Sequence, residues 1–424
     1  MTYDMSVSGI DTWDELVRRD LGIIIDPLVF RVGQFFLAGK PHDNSVAAER
    51  WGAIEADIDA LVSFFDLIVM HKQLPAFNYY ATFDQWHDAR DSLGELLNTQ
   101  GDKTLVHVDV EHAMYQTVKA AAIHQLSSRL DAGPLVHASV GQEILSTLEA
   151  VQYQWEPRLD TLEQQLADDA NQAKIARFLL GQLVFAGYAQ QTGAPQVLSP
   201  KRSRMLTAVG LQTEHAGQSA EAAIYQELSR RFREAGKGWR DVELPWTPSF
   251  LPFLLKDTRR FDEGPDVLLD AAKELRDKNA VQHYRKLREA LVSEEAEHSA
   301  DARKALSAAA DAVAKTLDST REELRLQRHI TVEVLPNAVG ATAGAVAGGI
   351  FAGPPGIAVG ALAGVVGEEV LKEVNHRLWG WVIDRLPYRS ARKLLARSAK
   401  AEHELGAQLM PQLRTVWETG RRAS

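Results

Sequence analysis

Asp26, Asp66, His71, Asp109, Glu111 and His112 are the side chains whose types and spacing best suit chemistry. Asp26 follows the apolar run LGIII, and Asp109 lies near the end of KTLVHVDV, with Glu111 and His112 directly after it. Both runs read as strands, and acidic residues at strand ends can hold magnesium for phosphoryl chemistry. Asp66 and His71 sit at the end of a long apolar helical pattern and extend this set. The competing reading is structural. Acids that leave a strand often cap the next helix, and Asp109 and Glu111 are well placed to do so. A second arrangement pairs Glu295 with His298 and Glu373 with His376, each at i, i+3. Two such pairs and two further glutamates would make a di-iron site in a four-helix bundle. With 13 histidines and 57 acidic residues, such pairs arise by chance, so neither metal nor cofactor is expected.

Other catalytic signatures are missing. There is no GxxxxGK[ST], no GxGxxG after the IIID run, no GxSxG and no HExxH. Lys201, Arg202 and Arg204 form a basic knot that reads as a solvated loop. The chain has no cysteine, which removes disulfides, thiolate metal sites and a cysteine nucleophile. A net charge of -10 argues against a global positive field for nucleic acid, so nucleic acid is not an expected partner. The polar, acidic start MTYDMSVSGIDTWDELVRRD has no secretory pattern, and a cytoplasmic location is expected, peripheral to the inner membrane face at most.

The elements that must position these residues are mostly helical. Thr12 and Glu15 fit a capping box. Residues 21–30 read as a buried strand, 46–72 as one long helix and 74–84 as an aromatic loop. Further helices are expected near 84–98, 111–130, 139–151, 155–169, 171–191, 216–235, 264–290 and 293–328, with a strand at 103–110 and an irregular stretch at 194–211. The Gly/Pro/Trp-rich stretch 236–253 reads as a connection. At 424 residues the chain exceeds one ordinary core. Four segments are expected: a small α/β region at 1–135, helical regions at 136–240 and 241–330, and a terminal region at 331–424. The fold class is therefore mainly α: a multi-helix bundle with a small N-terminal α/β portion and a C-terminal glycine-zipper helical hairpin.

That last segment is the most distinctive in the sequence. Residues 340–367 hold nine of the 29 glycines, and no charge occurs from Val334 to Gly367. Gly340, Gly344 and Gly348 recur every four residues, as do Gly356, Gly360 and Gly364. Residues four apart share a helix face, so each arm would present a flat groove for another backbone. Pro354-Pro355 breaks the run into arms near 338–352 and 357–376. Asn337–Ala352 would be about 24 Å long and Gly356–Gly367 about 18 Å, both shorter than the ~30 Å hydrocarbon core of a bilayer. Trp379 and Trp381 follow. Residues 385–400 then carry six basic residues and no acid, Arg389, Arg392, Lys393 and Arg397 among them. Tryptophans beside a basic helix suit membrane or anion contact.

The spacing resembles glycine-zipper hairpins of bacterial membrane-associated proteins, over residues 338–370. The stretches IIIDPLVFRVG, ALVSFFDLIVMHKQLPAFNY and PSFLPFLLKDTRR resemble pieces of bacterial helical proteins without an assigned activity, so no activity carries over. The first expectation is a non-enzymatic effector or interaction protein whose hairpin packs against a partner helix or enters a membrane conditionally. A metal-dependent enzyme acting on a phosphorylated or nucleic-acid substrate through Asp26, Asp66 and Asp109 is the second. The third is a structural scaffold with a buried hairpin. A homo-oligomer is compatible with all three.

Overall fold

The computed structural model describes residues 5–7, 23–77, 92–98, 102–110, 112–132, 135, 159–192, 196–197, 199, 249–257, 264–292, 389–405 and 408–419. These residues are mostly helical, around a small set of parallel strands. Strands β1 (Met5–Val7), β4 (Leu105–Val110) and β3 (Leu74–Phe77) form one sheet in the order β1-β4-β3. Strand β2 (Ile24–Ile25) pairs in parallel with β5 (Gln196–Val197), Ile25 opposite Val197. β2 also lies beside β3, so the spatial order is β1-β4-β3-β2-β5. Pro75 explains why no ladder joins β3 to β2. The Leu74 N–H donates to the Thr104 carbonyl at 2.7 Å, so the alternate position, Pro75, is the one that would donate away from β4. Proline has no N–H to give.

Asp26-Pro27 turns the first apolar stretch from strand to helix. The expected strand over 21–30 is only Ile24–Ile25, because helix α1 (Pro27–Leu37) begins at the proline. Pro27 holds Asp26 extended (φ -60°, ψ 126°), and its own fixed φ suits the first helical turn. The single helix expected over 46–72 is two, α2 (Asn44–Ala56) and α3 (Ile58–Met70). Asp57 breaks it (φ -137°, ψ 51°), and its carboxylate accepts from the Ala60 N–H at 3.3 Å to start α3. Every residue of α3 is buried, as a helix apolar on all sides must be. α1 crosses α3 at Gly33, where an added Cβ would stand 2.6 Å from the Phe64 ring.

Two helical layers enclose the strands. On one face lie α1–α3, α7 (Phe250–Asp257), α8 (Pro265–Arg276), α9 (Asn279–Val292), α10 (Arg389–Leu405) and α11 (Leu409–Thr419), packed with Ile25, Leu74, Ala76 and Leu105. On the other lie α4 (His112–Ala132), α5 (Leu162–Gln165) and α6 (Ala170–Thr192), packed with Ile24, Phe77 and Val108. Alternate strand residues thus serve opposite cores, as the pleat requires. Residues 27–70, 250–292 and 389–419 share the larger core, so segments far apart in sequence interleave in space. Within the 236–253 stretch expected as a connection, Phe250 opens α7, and Phe250, Leu251, Phe253, Leu254 and Leu255 are buried. The helix expected over 264–290 breaks at Asp277-Lys278 into α8 and α9. Residues 74–77, expected as loop, are β3. Strand β4 and helices α4 and α6 lie where the sequence places them.

α10 packs on α7 and α9, and α11 packs on α7 and α8. Trp417 stacks 5.3 Å from Trp51, and its Nε1–H donates to the Phe35 carbonyl at 3.1 Å. Just before β3 and β4, Arg276 of α8 donates to Asp102 at 3.1 Å and to the Lys72 carbonyl at 3.3 Å. Burial works to raise the Asp102 carboxyl, but Arg276, helped by Lys273 and Thr104, outweighs it and holds the carboxyl below its ordinary value. Among the described residues no helix is long and apolar enough to cross a membrane.

Candidate functional site: two buried carboxyl sites

The strand order gives the first place to look. From β2 the chain reaches β3 over one face through α1–α3, and from β4 it reaches β5 over the other through α4–α6. The winding therefore reverses between β2 and β5. In open α/β sheets a ligand crevice forms at such a reversal, outside the carboxyl ends of the strands. Asp26 stands there, fully buried. Its Oδ1 accepts from the Leu28 N–H at 3.0 Å and its Oδ2 from the Ser199 N–H at 2.9 Å. Its own N–H donates to the Val197 carbonyl at 2.8 Å. The N-terminus of a helix leaving a strand is a ready anion site. Here the chain supplies that anion position itself. Asp26 caps α1 and staples β2 to the end of β5, and a phosphate would have to displace it. The link Ile25-Asp26-Pro27 also lacks the glycines that let a backbone approach a pyrophosphate.

The second site lies where α3, α7 and α10 meet. Asp66 of α3 is buried, and its Oδ1 accepts from the Phe250 N–H at 2.7 Å. Glu402 of α10 accepts from the neighbouring Ser249 N–H. The two acids therefore approach adjacent amides at the start of α7 from two different helices. Glu402 is partly accessible as a residue, but its carboxyl is enclosed by protein. Burial pushes the Glu402 carboxyl up to about 7, against the pull of the Ser249 N–H. Burial also pushes Asp66 well above the ordinary carboxylate value; the Phe250 N–H opposes this and the charge of Glu402 adds to it. Two acids that share an enclosed site in this way titrate as a pair.

The remaining candidates have other contacts. His71 ends α3, its N–H donating to the Leu67 carbonyl at 2.8 Å. Asp109 lies in β4, in register with Ser6 of β1. His112 opens α4 on the surface, its Nε2 3.2 Å from Gln116. Glu111 lies outside the described residues, as do the glycines 340–364, Trp379, Trp381, the Glu295/His298 and Glu373/His376 pairs and the basic knot at 201–204. Among the described residues no group of three His, Asp or Glu is arranged to hold a metal ion.

The basic helix is α10, and its apolar stripe is already in use. Ala391, Leu394, Leu395, Ser398, Ala401 and Leu405 are buried against the body, while Arg389, Lys393, Arg397 and Lys400 are exposed. Arg392 is half-buried, and the Arg397 guanidinium lies 4.8 Å from the centre of the Phe253 ring. An interfacial helix must sink its apolar face into the lipid. α10 docked on α7 and α9 cannot do that, so its basic face is left to act by charge alone.

Sequence reading singled out Asp26 and Asp66 but not Ser249, Phe250 or Glu402. A buried FLPFLL block after Pro248-Ser249 was the available sign of α7. Nothing local marks Glu402, whose partner lies at the other end of the chain.

Comparison with protein-family models, with curated proteins and with solved structures returned no match. The functional reading therefore rests on the residues themselves.

Proposed function

We propose that this chain is a non-enzymatic interaction protein, in which a layered helical body presents the glycine-rich segment to an apolar surface. One observation carries the reading. Residues 293–388, which contain the charge-free glycine run, leave from α9 and return at α10, and these two helices pack together. His283 Nδ1 lies 2.7 Å from Ser390 Oγ, which fixes the return point beside α9. From His283 to the end of α9 is about 14 Å at 1.5 Å per residue. The described residues on either side of 293–388 thus lie on one patch of the body. The regular glycine spacing suits close helix packing, against its own second arm, a partner helix or the apolar layer of a membrane. The exposed cations Arg389, Lys393 and Lys400 of α10 favour an anionic membrane surface as the setting.

The catalytic alternative has less support. Both oxygens of Asp26 are taken by backbone donors, and Asp66 faces a second acid rather than a cation.

Flotation with liposomes tests the proposal. The variant must replace only 334–367 with a short Gly/Ser linker, because deletion through residue 400 would remove most of α10 from the core. The full chain should float with vesicles of phosphatidylcholine and phosphatidylglycerol, and the variant should not. Equal flotation of both proteins, or of neither, would overturn the membrane setting; in the second case an added partner helix becomes the next ligand to try.

A further inference from the structure

We propose that Asp66 and Glu402 form a proton-operated latch: while both carboxyls keep their protons they hold α10 against α7 beside α3, and when Glu402 loses its proton α10 loosens. The inference does not depend on what the glycine-rich segment binds. It begins from placement. Ser249 and Phe250 offer adjacent N–H groups at the start of α7, and each is taken by a carboxyl from a different helix. With both carboxyls protonated the site holds no charge; once Glu402 ionises, a charge is buried there that water no longer stabilises, which is costly.

Among the described residues, the recorded contacts of the neighbouring cations lie elsewhere. On α7, Lys256 pairs with Glu404. Arg276 of α8 is held by Asp102, and Arg285 of α9 donates to the Val69 carbonyl at 2.7 Å. On α10, Arg397 lies over Phe253 and Lys400 is 3.7 Å from Glu404. Arg31 of α1 and Arg50 of α2 lie over the Phe35 ring, and Arg414 of α11 pairs with Glu418. Once ionised, Glu402 adds its charge to the burial that raises Asp66.

The two helices joined by the latch matter differently. α3 is the fully buried centre of the larger core, whereas α10 follows residues 293–388 in the chain. Loosening at this seam would release α10 and leave α3 in place.

The direction follows from the raised Glu402 value. A carboxyl that keeps its proton in the folded state up to about 7, against an ordinary 4.5, contributes stability that is fully present below 4.5. That stability is lost as pH rises through about 7. The latch thus tightens on mild acidification and slackens above neutrality.

Two measurements on the full-length chain test it. Urea denaturation is run from pH 4.5 to 8.5 on the native protein, Glu402→Gln and Asp66→Asn. Amide exchange, corrected for intrinsic rates, is followed in 389–405 with 112–132 as the internal reference. The native midpoint should fall across the window, and both variants should flatten that fall. In the native protein, opening of 389–405 relative to 112–132 should rise with pH by up to about tenfold per pH unit inside the window. An unchanged pH slope in both variants would overturn the proposal. So would 389–405 and 112–132 opening in parallel at every pH in the native protein, a readout that stands even if a variant does not fold.

Discussion

Asp26 and Asp66 are both buried, both accept from a backbone amide at the start of a helix, and both were read from the sequence as one prospective site. The structure gives them opposite surroundings. Asp26 has one N–H for each oxygen and joins two strands with α1. Asp66 has one N–H from the described residues and a second acid in front of it. The first is a closed set of bonds, so any change there subtracts from stability. The second is a compromise whose cost depends on protons. Burial alone therefore does not say whether an acid is structural; its donors must be counted.

The largest expected effect is at the closed site. Asp26→Ala removes a cap and leaves the Leu28 and Ser199 N–H groups without their acceptor, for a loss of about 3–5 kcal/mol in urea or guanidinium denaturation. A loss below about 1 kcal/mol would mean that the staple is dispensable and that the crevice can open. Next comes Gly33→Ala on the same wall. Its Cβ would meet Phe64 ring atoms at 2.6–2.7 Å, and Phe64 is fully buried with nowhere to turn. About 2–3 kcal/mol should be lost, measured by the shift in the denaturation midpoint.

At the two-acid seam the sign should change with pH. Asp66→Asn keeps an oxygen for the Phe250 N–H and removes one charge. It should cost stability at pH 5 and cost little or add stability at pH 8, whereas Asp26→Ala should be destabilising at both. Parallel behaviour of the two variants would erase the distinction between the sites. The smallest effect is expected at Gly52 of α2, where an added Cβ meets nothing within 4 Å. Gly52→Ala should stabilise by roughly 0.5–1 kcal/mol, since glycine is the poorer helix former. Together with Gly33→Ala it separates glycines required by packing from glycines that are not.

Much of the architecture was legible where one periodicity dominated. The alternation of KTLVHVDV gave β4, and the all-round apolar pattern gave the buried α3. What was missed turned on single residues within apolar stretches. Pro27 lies inside the run read as a strand but begins a helix. Pro75 lies in the stretch read as a loop, yet in β3 it gives up only the donor that would face β2. Asp57 interrupts a helical pattern without disturbing its hydrophobicity, because its carboxylate caps the next helix. Of the candidate sites, the strand-end acid could be found from sequence, as could one member of the pair. Glu402 could not, since its role arises only when α10 folds back onto α3 and α7. The basic helix shows the same limit. Its charges were visible, but whether its apolar stripe met lipid or protein depended on α7 and α9.

The central claim is that a fixed body holds α10 while the glycine-rich run meets an apolar surface. Amide exchange of the full-length chain at pH 6, with and without phosphatidylcholine/phosphatidylglycerol vesicles, tests it most directly. The account predicts that residues 334–367 gain protection on adding vesicles while 58–70 and 389–405 keep theirs. Unchanged exchange in 334–367, with 389–405 instead losing its contacts and entering the lipid, would contradict it.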